Sequence, residues 1–112
     1  MGGSGMKPPD SLMITICVEI GNSDDQLSQQ LWATFCADTA GEIEDAAVQV
    51  FGVRYSGADS PYQNACWHFS ARLIDCDAIM EGLRSVAYNY GQDSIAWSVI
   101  AETEFIKPPE RA

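Results

Sequence analysis

Basic side chains are what this chain has least of. Six Lys and Arg residues stand against sixteen Asp and Glu, leaving a formal net charge of −10 at pH 7 and a pI near 4.1. Nucleic-acid affinity rests mainly on neutralising phosphates with Lys and Arg. No basic cluster here supplies that, so direct nucleic-acid binding is disfavoured, and an anionic membrane surface for the same reason. Long apolar runs are missing too. None approaches the roughly 18–20 residues that cross a bilayer, and no charged start leads into an apolar signal segment. The single histidine, His68, limits acid–base chemistry. No G-x-x-x-x-G-K-S/T or G-x-G-x-x-G loop is present to cradle phosphates, and no motif calls for a cofactor.

Cys17, Cys36, Cys66 and Cys76 lack metal-type spacing such as C-x-x-C. In a chain that reads as cytosolic they are expected reduced, with Cys17, Cys36 and Cys66 small and buried.

Enough apolar material is present for a core. About 46% of residues are apolar, which argues for one folded domain despite the charge. Met1–Gly5 read as an expression scar before Met6, and Lys7-Pro8-Pro9-Asp10 as an extended lead-in, so residues 1–11 are set apart. Residues 12–106 form the expected domain and 107–112 a tail.

The pattern starts with Leu12–Ile20, where Leu12, Ile14, Ile16, Val18 and Ile20 alternate with Met13, Thr15, Cys17 and Glu19. That is a half-buried strand with one aliphatic face. Ser23-Asp24-Asp25-Gln26 has capping-box form and predicts a helix from there to about Ala40. Leu27, Leu31 and Phe35 are its expected buried stripe, Trp32 and Cys36 an offset second one, and Gly41 its C-cap. Glu42, Glu44 and Asp45 then make an acidic loop. A second strand is expected over 46–55, with Gly52 marking a bulge. A third is expected over 64–73, with Ala65, Trp67, Phe69, Ala71 and Leu73 on the apolar face. A helix starts at Asp75-Cys76-Asp77 and ends at Gly91, with Ile79, Leu83, Val86, Ala87 and Tyr90 inward. A fourth strand is expected over 94–106.

The order β-α-β-β-α-β resembles the ferredoxin-like fold over nearly the whole chain. That implies a four-stranded antiparallel sheet with both helices on one face. The other sheet face is then open. It is expected to carry Met13, Thr15, Cys17 and Glu19 beside Cys66, His68, Ser70 and Arg72. Phe51, Tyr55, Ile100, Glu102 and Glu104 are expected to join from the edges. Such a mixed surface suits a protein interface and would allow a homodimer.

These residues suggest several chemistries. Cys17, Cys66, His68 and Glu19 could hold zinc, or a Cys–His pair could act as a nucleophile. Neither finds support in a ligand motif, a helix N-terminus or an oxyanion-hole signature, and chance coincidence on a sheet is the simpler reading. Base stacking on the sheet would need exposed aromatics on strands one and three; Trp67 and Phe69 belong to the inward side. The acids offer more. Asp24, Asp25, Asp38, Glu42, Glu44 and Asp45 gather around the first helix, with Trp32 and Tyr55 as candidate anchors. A compact acidic patch can steer onto a basic groove, although capping and a solvated rim would explain some of these charges. In size, charge and compactness the chain is similar to anti-CRISPR proteins and to immunity proteins that block nuclease toxins. The expected function is therefore a non-enzymatic inhibitor of a basic partner, such as a nucleic-acid-processing enzyme. The alternative is a small-molecule-binding or regulatory module that dimerises through its open sheet.

Overall fold

The computed structural model describes residues 12–57 and 59–110; the expected lead-in, residues 1–11, lies outside them. The elements are β1 (Met13–Gly21), α1 (Gln29–Ala46), β2 (Gln49–Tyr55), β3 (Asn64–Arg72), α2 (Cys76–Asn89) and β4 (Ala96–Ile100), with short 3-10 turns at Ser23–Asp25 and Leu73–Asp75. The sheet order is β2-β3-β1-β4, and every neighbouring pair is antiparallel. This is the ferredoxin-like α+β arrangement, with β1 and β3 central.

The alternation in β1 and β3 places their side chains. Ile16 stands opposite Phe69, Val18 opposite Trp67 and Ile20 opposite Ala65, and all six are buried. They meet Phe35, Cys36 and Ile43 of α1 and Ile79, Leu83 and Val86 of α2 in one core. Trp67 is wholly buried, and its indole N–H has no hydrogen-bond partner among the described residues. An orphaned buried donor costs roughly 1–3 kcal/mol, so the indole's apolar burial has to outweigh it.

Helix α1 departs from expectation at both ends. The Ser23 box does not start it. Asp24 and Asp25 take left-handed backbone angles, and the Ser23 amide donates instead to the Gln92 side chain at 2.8 Å. The Asn22 side chain pins this loop, donating to the Leu27 carbonyl at 3.0 Å and accepting from the Leu27 amide at 2.9 Å. Ser28 is the real N-cap, accepting from the Leu31 amide at 3.2 Å. At the far end the helix runs through Gly41 to Ala46. A mid-helix glycine costs about 1 kcal/mol, whereas burying Ile43 returns about 1.5–3 kcal/mol, so the helix continues. Its buried stripe is Trp32, Phe35, Cys36, Thr39 and Ile43. Leu31 is exposed, and Leu27 lies before the helix. Thr39 is accommodated in the core by donating to the Phe35 carbonyl at 2.8 Å.

Strand β4 stops at Ile100, which faces Thr15, rather than running to 106. Only Met13 and Ile14 of β1 remain beyond that pair, so a longer β4 would soon lack a ladder partner. Residues 101–110 are exposed and carry no regular structure. The end of α2 is as expected, with Gly91 in the left-handed region. No helix among the described residues is long and apolar enough to cross a membrane.

Candidate functional site: the open sheet face

The face turned away from the helices can be read row by row from the register. Across one row stand Gln49, Ser70, Thr15 and Ile100. In the next are His68, Cys17 and Ser98. Then come Arg54, Cys66, Glu19 and Ala96. Met13 and Arg72 close one end. No element of the described chain lies over this surface, as the exposure of Met13, Glu19, His68, Arg72, Ser98, Phe51 and Arg54 shows.

A bulge in β2 decides which edge aromatics reach it. Val50 pairs with Phe69 and Gly52 with His68, so Phe51 is the extra residue between them. Its ring packs edge-on to the His68 imidazole at 5.4 Å, on the open side. Beyond the bulge the alternation is shifted, as an inserted residue requires. Val53 and Tyr55 therefore fall on the helix side, opposite Trp67 and Ala65, and the Tyr55 ring meets Trp67 edge-on at 6.0 Å. Tyr55 is thus not on the open face with Phe51, as expected, but on the opposite one. Glu102 and Glu104 are not on the face either, because β4 ends before them.

The expected acidic cluster is split. Asp24 and Asp25 sit before α1, while Glu42, Glu44 and Asp45 lie in its last turns and not in a loop. Glu42 to Asp45 lie about 20–24 Å along the helix axis from its first residue, Gln29. Asp38 accepts a 2.6 Å hydrogen bond from the Tyr90 hydroxyl, which raises the Tyr90 pKa. Glu42 is half-buried, and its side chain occupies the space that a Cβ at Gly82 would take. Glu44 is near enough to Tyr55 to add to the upward pKa shift that burial gives that phenol. The acids therefore surround the helix layer and do not make one patch. Trp32 is also not an anchor: it is a core residue, packed edge-on to Phe35 at 5.8 Å. Tyr62 and Tyr88 are the strongly exposed tyrosines.

Charge is divided between the two layers. Helix α1 carries Asp38, Glu42, Glu44 and Asp45 and no base; α2 carries Asp77 and Glu81 against Arg84. Arg84 is ion-paired to Glu81 at 3.1 Å. The open face carries one acid, Glu19, beside Arg54 and Arg72. Arg72 also holds Asp75 at 3.0 Å.

Of the four cysteines, Cys36 and Cys76 are buried, whereas Cys17 and Cys66 are half-buried on the open face. Burial first, then Cys66 and Glu19, raise the Cys17 pKa. That thiol therefore keeps its proton at neutral pH, the opposite of an activated nucleophile. Among the described residues no three His, Cys, Asp or Glu side chains converge to hold a metal ion. A separate groove of about 470 Å³ runs between α2 and β4, lined by Leu83, Ala87, Ile95 and Trp97.

No family model matches the chain, and no curated protein does. Solved structures share its outline, among them the following three. A DUF3240 family protein from Shewanella baltica OS155 is 11% identical, covering 84% of this chain and 97% of its own, at a TM-score of 0.47. A hydroxynitrile lyase from Passiflora edulis is 17% identical, covering 87% and 99%, at 0.49. A dimeric ferredoxin-like protein from an uncultured marine organism is 13% identical, covering 93% and 100%, at 0.39. Likenesses this distant carry no functional argument.

Proposed function

We propose that this chain is a non-enzymatic binding module that pairs with a second copy through the open sheet face and presents its acidic helices outward to a basic macromolecule. The supporting observation is the division of charge. In a chain of net charge −10, like-charge repulsion opposes self-association over most of the surface. The open face is the exception, with Glu19 set among Arg54, Arg72 and neutral groups. Pairing two such faces covers Phe51, Met13 and Ile100, places Glu19 against a surface whose other charges are arginines, and leaves α1 and α2 outside. Low charge with aromatic, Met and Arg content is the composition of an interface core. The exterior then has the sign that steers a basic partner, including a nucleic-acid-processing enzyme whose site would be occluded. An anti-CRISPR-like or immunity-like role is one form of that activity.

Sedimentation equilibrium tests the pairing. The native chain is expected to sediment as a dimer at micromolar concentration. The Phe51→Asp/Ser98→Asp variant, altered only at exposed positions, should be a monomer with an unchanged fold by circular dichroism. A native monomer at all accessible concentrations would defeat the reading. So would a variant that dimerises as tightly as the native chain.

A further inference from the structure

The four cysteines are not equivalent. Cys36 belongs to α1 and Cys76 opens α2, and both are buried. Cys17 and Cys66 lie on the two central strands and project from the same face. Cys17 is opposite His68, and Cys66 is opposite Glu19, so the two thiols are diagonal neighbours across one antiparallel ladder. After burial, the nearness of Cys66 is the next cause that raises the Cys17 pKa. Diagonal residues on one sheet face are about 7–8 Å apart at Cα, with Cβ closer. A disulfide joins Cα atoms up to about 6.8 Å apart. Closing the bond therefore requires a local movement of the β1 and β3 backbones, which strains the disulfide.

We propose that Cys17 and Cys66 form a reversible intrachain disulfide, making the open face a thiol–disulfide exchange site for a low-molecular-weight disulfide such as oxidised glutathione. The Cys66 thiolate attacks one glutathione sulfur, giving a mixed disulfide and releasing one glutathione. The Cys17 thiolate then attacks the Cys66 sulfur, forming the intrachain bond and releasing the second glutathione. Two protein thiols are oxidised, and one glutathione disulfide is reduced to two glutathiones. Cys17 holds its proton more firmly than an ordinary thiol, so the second step quickens as pH rises. A bond at the outer edge of disulfide reach stores strain and is easily reduced.

The exchange chemistry stands without a second copy. Its protection in a dimer rests on the paired-face reading, because a second copy seated on the face would shield both thiols. The test treats the native chain and the Phe51→Asp/Ser98→Asp variant with oxidised glutathione, followed by intact mass and unreduced peptide mapping. The expected product in the variant has lost two hydrogens, with Cys17 linked to Cys66. Cys17→Ser and Cys66→Ser should each stop at a glutathione adduct, whereas Cys36→Ala/Cys76→Ala should still close the bond. Stable adducts on both Cys17 and Cys66, a bond mapped to another pair, or no reaction would overturn the proposal. The two readings fail separately. A native chain that sediments as a monomer and still forms the Cys17–Cys66 bond keeps the exchange site and removes the pairing. A dimer whose separated faces form no bond does the reverse.

Discussion

The two faces of the sheet come from the same residues taken alternately, yet they have opposite physical characters. On the helix side, Ile16, Val18, Trp67 and Phe69 are fully buried and make the core. On the other side, Thr15, Cys17, Cys66 and His68 sit over the same backbone with nothing from the described chain above them. The difference is one of cover. Two helices suffice for one face, and the described residues supply no third layer. A sheet left half-dressed in a molecule of strong uniform charge is a stable end point only where the bare side is neither strongly apolar nor strongly charged. This one carries Glu19 beside Arg54 and Arg72 together with Met13, Phe51 and Ile100, the mixture on which the proposed pairing rests.

The contrast can be sharpened by mutating across it. Phe69→Ala should destabilise by about 3–5 kcal/mol in urea unfolding, since a wholly buried ring leaves a cavity. Its neighbour on the open side, His68→Ala, should change the unfolding of the monomeric variant by less than about 1 kcal/mol. Equal effects would mean that both faces are covered within one chain. Next in size is the acidic exterior. Replacing Asp38, Glu42, Glu44 and Asp45 by Asn and Gln should slow capture on immobilised polylysine by about tenfold or more at low salt, and the gap should close at high salt. Replacing Glu19 alone should not. The buried side also has an alkaline signature. Burial pushes Cys36 from 9.0 up to about 11, so the folded chain holds this proton where the unfolded chain has lost it. Stability supplied by that difference is present below pH 9 and falls as pH rises toward about 11. The fall should be shallower in Cys36→Ala, as read by urea midpoints. Smallest is Tyr90→Phe, which removes the hydrogen bond to Asp38 at an exposed site and should cost about 0.5–1.5 kcal/mol.

What was legible in the sequence was periodicity. The alternation of β1 and β3 gave the correct inward sides, and the order of elements gave the topology. What was not legible depends on contacts between distant residues. Nothing local says that the Ser23 amide would go to Gln92, sixty-nine residues on, leaving Ser28 to cap α1. Gly41 reads as a stop until Ile43 is known to be buried beyond it. Gly52 reads as a bulge, but strand two carries apolar groups on both faces and its pattern does not say which turns inward, so only the shifted pairing puts Tyr55 on the helix side. The acidic residues read as lying at the two ends of the first helix and in the loop after it; the helix in fact extends through Glu42, Glu44 and Asp45. The alternation through Phe105 reads as a longer fourth strand because it says nothing about where the partner strand ends.

The paired-face account is tested most directly by isotope-filtered nuclear Overhauser spectroscopy on a mixture of labelled and unlabelled native chain. It predicts contacts between copies among Phe51, Met13 and Ile100. Contacts confined to α1 and α2, or none at concentrations where the chain is a dimer, would contradict it.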